Sequence, residues 1–199
     1  MGRADLSLFY AINRWPEGWT PIMRFFSEAT DLLAVRIGLV LMVVVMVALR
    51  GAAARAVGLS LLAFPIANEV TDLFKAWLPQ PRPFQELADA VLRTGGSDSA
   101  GTASAHSANM AAVATVMLFL VPRFGAVWVV VAVMTGLSRI YTGVHYPGQV
   151  ALGWTVGVTV GLTVVGLERV IRDRWFSPKP ASSAEPVNSA EGTAAEGAA

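Results

Sequence analysis

The sequence predicts an all-α, polytopic transmembrane bundle of about five spans, preceded by an amphipathic interfacial N-terminal region. Composition is the first ground. Of 199 residues, 54% are hydrophobic and only 15% charged, against roughly 25% charged in an ordinary soluble domain. Patterning is the second: the charges cluster, and a run such as IGLVLMVVVMVAL offers water no polar face, which excludes a helix of a soluble bundle. Charge balance is the third. With 15 Lys+Arg against 14 Asp+Glu, the chain lacks the basic footprint of a nucleic-acid binder. It has no Cys, and therefore no disulfide, thiolate nucleophile or Cys-ligated zinc.

Residues 1–30 mix aromatics with charge at helical spacing, and Trp15, Pro16, Trp19 and Pro21 punctuate them. This predicts short amphipathic helices lying at the interface, where Trp and Tyr prefer to sit. The region has no apolar core of a cleaved signal peptide. The transmembrane domain is expected over residues 31–175. Its first span runs Leu32 to Leu49, with Arg36 near enough to the start to snorkel. The second runs from after Arg55 to about Trp77, the third from His106 to Val121, the fourth from Phe124 to about Ser138, and the fifth from Val150 to Leu167. The fourth is confined between Arg123 and Arg139 and must end near Arg139. Residues 176–199 are Ala, Ser, Glu, Pro and Gly with little apolar bulk, which predicts a disordered tail.

Lys/Arg placement sets the orientation. Arg50, Arg55, Arg123, Arg169, Arg172, Arg174 and Lys179 fall on one side by alternation of the spans, and that side is expected to be cytoplasmic.

The other polar residues are localised. Glu69, Asp72 and Lys75 stand three apart on one helix face, expected to turn into the bundle. Arg82 follows, then the loop TGGSDSAGTASAH, which leads to Ser104 and His106. LSRIYTGVHYPGQV joins the last two spans and carries Arg139, His145 and Gln149. By parity, the end of the second span, the start of the third, the end of the fourth and the start of the fifth all lie on one membrane face. Lys75, Arg82, Ser104, Arg139 and the chain's two histidines can therefore converge there. Three cations at a low-dielectric boundary call for an anion, and a phosphoryl group fits. A neutral His is a competent nucleophile or acid/base near pH 7. The chemistry points to phosphoryl transfer without a metal or other cofactor.

K-x6-R-P (Lys75 to Pro83), S-x-H (Ser104 to His106) and S-R-x5-H (Ser138 to His145) resemble, in order and spacing, the signature of the type 2 phosphatidic acid phosphatases, a superfamily that includes the vanadium haloperoxidases. The resemblance spans roughly residues 60–165. It implies His145 as nucleophile through a phosphohistidine, and His106 as the acid that protonates the leaving group and then activates water. It also implies Lys75, Arg82, Arg139, Ser104 and the Ala105 amide as phosphoryl ligands. The implied substrate is a membrane lipid phosphate: undecaprenyl diphosphate, phosphatidate or phosphatidylglycerol phosphate. With the Lys/Arg-rich side cytoplasmic, the site is expected on the outer face of a cytoplasmic membrane.

Two departures concern the S-x-H region, where Ala103 and Ala105 replace the family's Pro and Gly. The third is Gln149, at the place of an Asp that orients the nucleophile. A Gln carbonyl can accept the same bond but lends no charge. Asp→Asn at the analogous position of serine proteases costs about 10⁴-fold by selecting the wrong tautomer. A phospholipid-binding or lipid-moving relative disabled at Gln149 is the competing reading, and an intramembrane serine protease using Ser104 is a third. Singly, Lys75, Arg82 and Arg139 could be interfacial snorkels, and Ser104 an N-cap. Gly153, Gly157 and Gly161 are expected to serve close helix packing. Oligomeric state is not legible.

Overall fold

The computed structural model describes residues 2–29 and 32–175, and every described element is helical. The expected tail lies outside the described residues. Two short helices come first, α1 (Arg3–Asn13) and, after a 3-10 turn at Glu17–Trp19, α2 (Thr20–Glu28), with Pro21 in its first turn. Each buries one face, α1 through Phe9 and Ile12, α2 through Met23 and Ser27.

Five apolar helices occupy the five expected places: α3 (Leu33–Ala48), α4 (Gly51–Trp77), α6 (Ala105–Leu120), α7 (Pro122–Tyr141) and α8 (Pro147–Trp175). A single turn of helix, α5 (Pro83–Glu86), follows Arg82. By length and composition α4, α7 and α8 can each cross a membrane, and Glu17–Glu28 (the 3-10 turn with α2) together with α3 would make a fourth span bent by 53°. At 16 residues α6 is shorter than the usual span. It is nevertheless the most enclosed helix, with ten buried residues between Ser107 and Met117.

The bundle is built around α6. Ala63 and Ala67 of α4, Ala108, Ala112 and Val116 of α6, and Val156, Val160 and Val164 of α8 form its main core. Small residues let the backbones approach: a Cβ at Gly157 would stand 2.1 Å from the Ala108 carbonyl oxygen. Arg55, near the start of α4, pairs with Glu168, near the end of α8, at 2.7 Å. The opposite ends of those helices therefore meet at the other pole. There α1 and α2 pack on the end of α7 through Phe9, Ile12, Met23, Ile140 and Tyr141.

One expectation is corrected. Glu69 and Asp72 do not turn into the bundle; both are exposed, because the buried stripe of α4 runs through Ala63, Ala67 and Thr71. Only Lys75 is partly covered, and Asp72 holds its ammonium at 2.8 Å.

Gly157→Leu is expected to destabilise the detergent-solubilised protein by about 2 kcal/mol or more, since its side chain has no room beside α6. An unchanged thermal unfolding midpoint would contradict this packing.

Candidate active site

His145 owes its place to the way α7 ends. The Thr142 N–H bonds to the Ser138 carbonyl (2.9 Å) and the Gly143 N–H to that of Ile140 (3.0 Å). Gly143 then takes φ +82°, the left-handed conformation that reverses the chain at little cost only for glycine. The next two N–H groups, of Val144 and His145, both return to the Arg139 carbonyl, at 3.2 and 3.1 Å. The result tucks His145 beneath the last turn of α7, 3% exposed. α7 runs two residues past Arg139, so Arg139 sits inside that last turn rather than at its edge.

The hydrogen bonds around His145 fix its tautomer. Gln149 Nε2 donates to the Pro81 carbonyl (3.0 Å), and the Tyr146 N–H donates to Gln149 Oε1 (3.2 Å). Both bonds require the amide to turn its oxygen toward the ring. His145 Nδ1 faces that Oε1 at 3.1 Å and the Gly101 carbonyl at 3.2 Å. Neither oxygen can donate, so Nδ1 carries the proton. At the other side Arg82 Nη1, a donor, lies 3.2 Å from Nε2. Nε2 therefore presents a lone pair.

Burial first, then the charges of Arg139 and Arg82, hold the His145 pKa well below the usual imidazole value of 6.5. The ring is neutral at physiological pH.

Arg82 is itself anchored. Its Nε donates to the Ser99 carbonyl (2.8 Å), Nη2 to Ser99 Oγ (2.9 Å) and Nη1 also to the Val144 carbonyl (3.3 Å). Arg139 Nη1 donates to Ser27 of α2, at 2.6 Å to Oγ and 3.3 Å to the carbonyl. Ser104 and Gln149 are tied by their backbones, N–H to carbonyl at 3.0 Å. The Ser104 Oγ caps α6, accepting from Ser107 N–H (3.4 Å) and Ser107 Oγ (2.9 Å). Ala105 opens that helix, where backbone N–H groups have no intrahelical partner.

Thus His145, Gln149, Arg82, Arg139 and the Ser104–Ala105 corner share one end of the bundle. Lys75 and His106 are not among the contacts of the His145 ring. Lys75 stays with Asp72. His106 is exposed and lines an apolar cleft of about 220 Å³ with Phe25, Phe26, Val35, Met110 and Trp128. A cavity of about 470 Å³ backs onto Gln149, but its carboxylates, Asp5 and Glu86, do not suit a phosphate. Sequence reading missed Ser99, Gly101, Pro81 and Ser27. The first two lie in the Gly/Ser-rich loop, whose composition hides its contacts. Ser27 reaches Arg139 across 112 residues with no motif to mark it.

The family model of the PAP2 superfamily matches residues 53–172. The chain belongs to the PAP2 superfamily. Its curated relatives include an undecaprenyl-diphosphatase of Sulfolobus acidocaldarius, 28% identical over 118 residues, which are 57% of this chain and 56% of that protein. The bacitracin transport permease protein BcrC of Bacillus licheniformis is 40% identical over 57 residues, 29% of this chain and 24% of that protein. The matches thus span about half or less of those relatives' own lengths. Among solved structures, Aquifex aeolicus LpxE superposes with a TM-score of 0.69 at 23% identity, over 83% of this chain and 96% of that one. The transmembrane PAP2-type phosphatidylglycerolphosphate phosphatase of Bacillus subtilis gives 0.65 at 23%, over 85% and 89%. These two share the fold.

The depressed basicity of His145 makes stability depend on pH. The unfolded imidazole titrates near 6.5 and the folded one well below it, so between those values the unfolded chain binds the extra proton. Stability should fall as pH drops below about 6.5, by up to about 1.4 kcal/mol per unit from this group. Unfolding midpoints of wild type and His145→Gln between pH 7 and 5 check this: the variant should lose less, and parallel curves would refute it.

Proposed function

We propose that the chain is a membrane lipid phosphatase that works through a phosphohistidine on His145. The observation that carries this reading is the His145 ring itself, neutral, with Nδ1–H held by Gln149 and Gly101 and the Nε2 lone pair turned to Arg82. Arg82 and Arg139, with Lys75 and the Ala105 N–H that opens α6, bind the phosphoryl oxygens, and Arg82 exchanges its contact with Nε2 for one with the substrate. Nε2 attacks phosphorus in line, the bond from phosphorus to the leaving oxygen breaks, and His106 gives that oxygen a proton. Water then attacks the phosphohistidine, His106 takes its proton, the N–P bond breaks, and inorganic phosphate leaves.

His106 supports the choice of a lipid, because it lies at an apolar cleft between α2, α3, α6 and α7 where a hydrocarbon chain fits. An isoprenoid diphosphate ranks first among substrates, on the likeness to the S. acidocaldarius undecaprenyl-diphosphatase. The placement of Lys and Arg favours the outer face of a cytoplasmic membrane for the site.

The test is phosphate release in detergent and EDTA from undecaprenyl diphosphate, phosphatidate and phosphatidylglycerol phosphate. Turnover should survive EDTA, fall to background in His145→Ala, and be inhibited by vanadate, which imitates the phosphoryl transition state. Loss of turnover in EDTA, or a fully active His145→Ala, would overturn the reading. Folded protein that binds these lipids without releasing phosphate would favour the binding-only relative. Gln149→Leu leaves Gly101 as the sole acceptor for Nδ1–H. It should lose about 10–100-fold in kcat, less than the roughly 10⁴-fold cost of a reversed tautomer.

A further inference from the structure

The signature residues do not hold His145 alone. We infer that α1 is a splint for the catalytic segment, with Asn13, Arg93 and Asp5 as positioning residues that set where His145 Nε2 points. This rests on the phosphatase reading above. Along its length α1 touches the chain before, beside and after His145.

At its C-terminal end Asn13, 0% exposed, uses its whole amide. Nδ2 donates to the carbonyls of Tyr141 (2.9 Å) and Val91 (3.0 Å), and Oδ1 accepts from the Val91 N–H (3.0 Å). In the middle, Phe9 packs on Tyr146 with ring centres 5.4 Å apart. Near its start, Asp5 Oδ1 accepts from the Gly148 N–H at 2.7 Å, the residue before Gln149.

Arg93 closes the clamp. Its Nη1 donates to the carbonyls of Asn13 and Tyr141, both at 2.8 Å, and its N–H to the Thr142 carbonyl at 3.1 Å. Its guanidinium lies over the Tyr141 ring, 4.2 Å from the centre.

Tyr141, the last residue of α7, and Thr142, its C-cap, carry carbonyls that have no partner within the helix. Capping alone would need one donor each. Here the Tyr141 carbonyl receives two, from a buried amide and a stacked guanidinium on separate segments, so its position is fixed as well as its hydrogen bonding. Gly143 is pressed against the same clamp: a Cβ there would stand 2.5 Å from the Val91 carbonyl oxygen. His145 follows two residues later, and its N–H returns to Arg139, so displacing the turn displaces the ring. In-line attack tolerates little displacement, since about 1 Å of misplacement can cost 10²-fold.

Asn13→Asp keeps the shape but replaces both donors by an oxygen facing two carbonyls. It should lower kcat about 10–100-fold while KM changes less than about threefold. Asp5→Ala should lower kcat several-fold, and Asp5→Asn, which keeps an acceptor for Gly148, should restore most of it. Because the chain has two histidines, ring ¹⁵N spectra of the folded protein in detergent can be assigned with His106→Ala. The His145 signals should shift in Asn13→Asp. A role in stability alone would lower the unfolding midpoint and leave both kcat per folded molecule and those signals unchanged, and that result overturns the inference. If His145→Ala proves active or no substrate is turned over, the phosphatase reading fails separately, and unshifted His145 signals in Asn13→Asp would still reject the splint.

Discussion

The bond from His145 Nδ1–H to Gln149 Oε1 is the contact on which the proposed chemistry depends, because it decides which nitrogen is left to react. An amide can face a ring with either end, and an NH₂ turned toward His145 would select the opposite tautomer. Here the choice is made by the backbone. The Pro81 carbonyl takes the NH₂ and the Tyr146 N–H takes part of the oxygen, so the oxygen is delivered to Nδ1. Gln149 thereby performs the orienting half of a carboxylate's task. It does not perform the electrostatic half: without a negative partner, and beside Arg82 and Arg139, the ring stays weakly basic. In the proposed reaction that favours a free lone pair over a strongly driven one.

Everything that sets this bond arrives from a different helix end. Pro81 follows α4, Gly101 precedes α6, His145 follows α7 and Gln149 begins α8. The parity of an antiparallel bundle puts those four ends at one pole, and the close seam between α6 and α8 keeps them in register, with Ser104 tied to Gln149 across it. The same pole opens on one side to the apolar cleft at His106. A phosphate group and a hydrocarbon chain can thus be met by neighbouring surfaces of opposite character, as an amphiphile requires.

Much of this was legible in the sequence. Charge-free runs located all five apolar helices, since in a bundle of this kind the hydrophobic pattern is the dominant local signal. They missed the first turn of α4 and the last eight residues of α8, where the helix continues through charged residues. The glycine stripe read as packing, and α8 does lie against α6 there. The three-part signature located the pole. Three things were not legible. The exposure of Glu69 and Asp72 depends on which stripe of α4 is buried, and alanine, not charge, marks it. The Arg139–Ser27 and Asn13–Tyr141 contacts join residues more than 110 positions apart, and no periodicity encodes them. Lys75 shows the limit of motif reading: its place in the signature does not reveal that Asp72 already holds it.

The position of the phosphoryl group on the trapped enzyme tests the central claim most directly. Protein quenched during turnover, kept at alkaline pH and digested, should yield His145 phosphorylated on Nε2, because Nδ1 is committed to Gln149 and Gly101. Phosphorylation on Nδ1, or on another residue while His145 stays unmodified, would contradict the tautomer and the mechanism built on it.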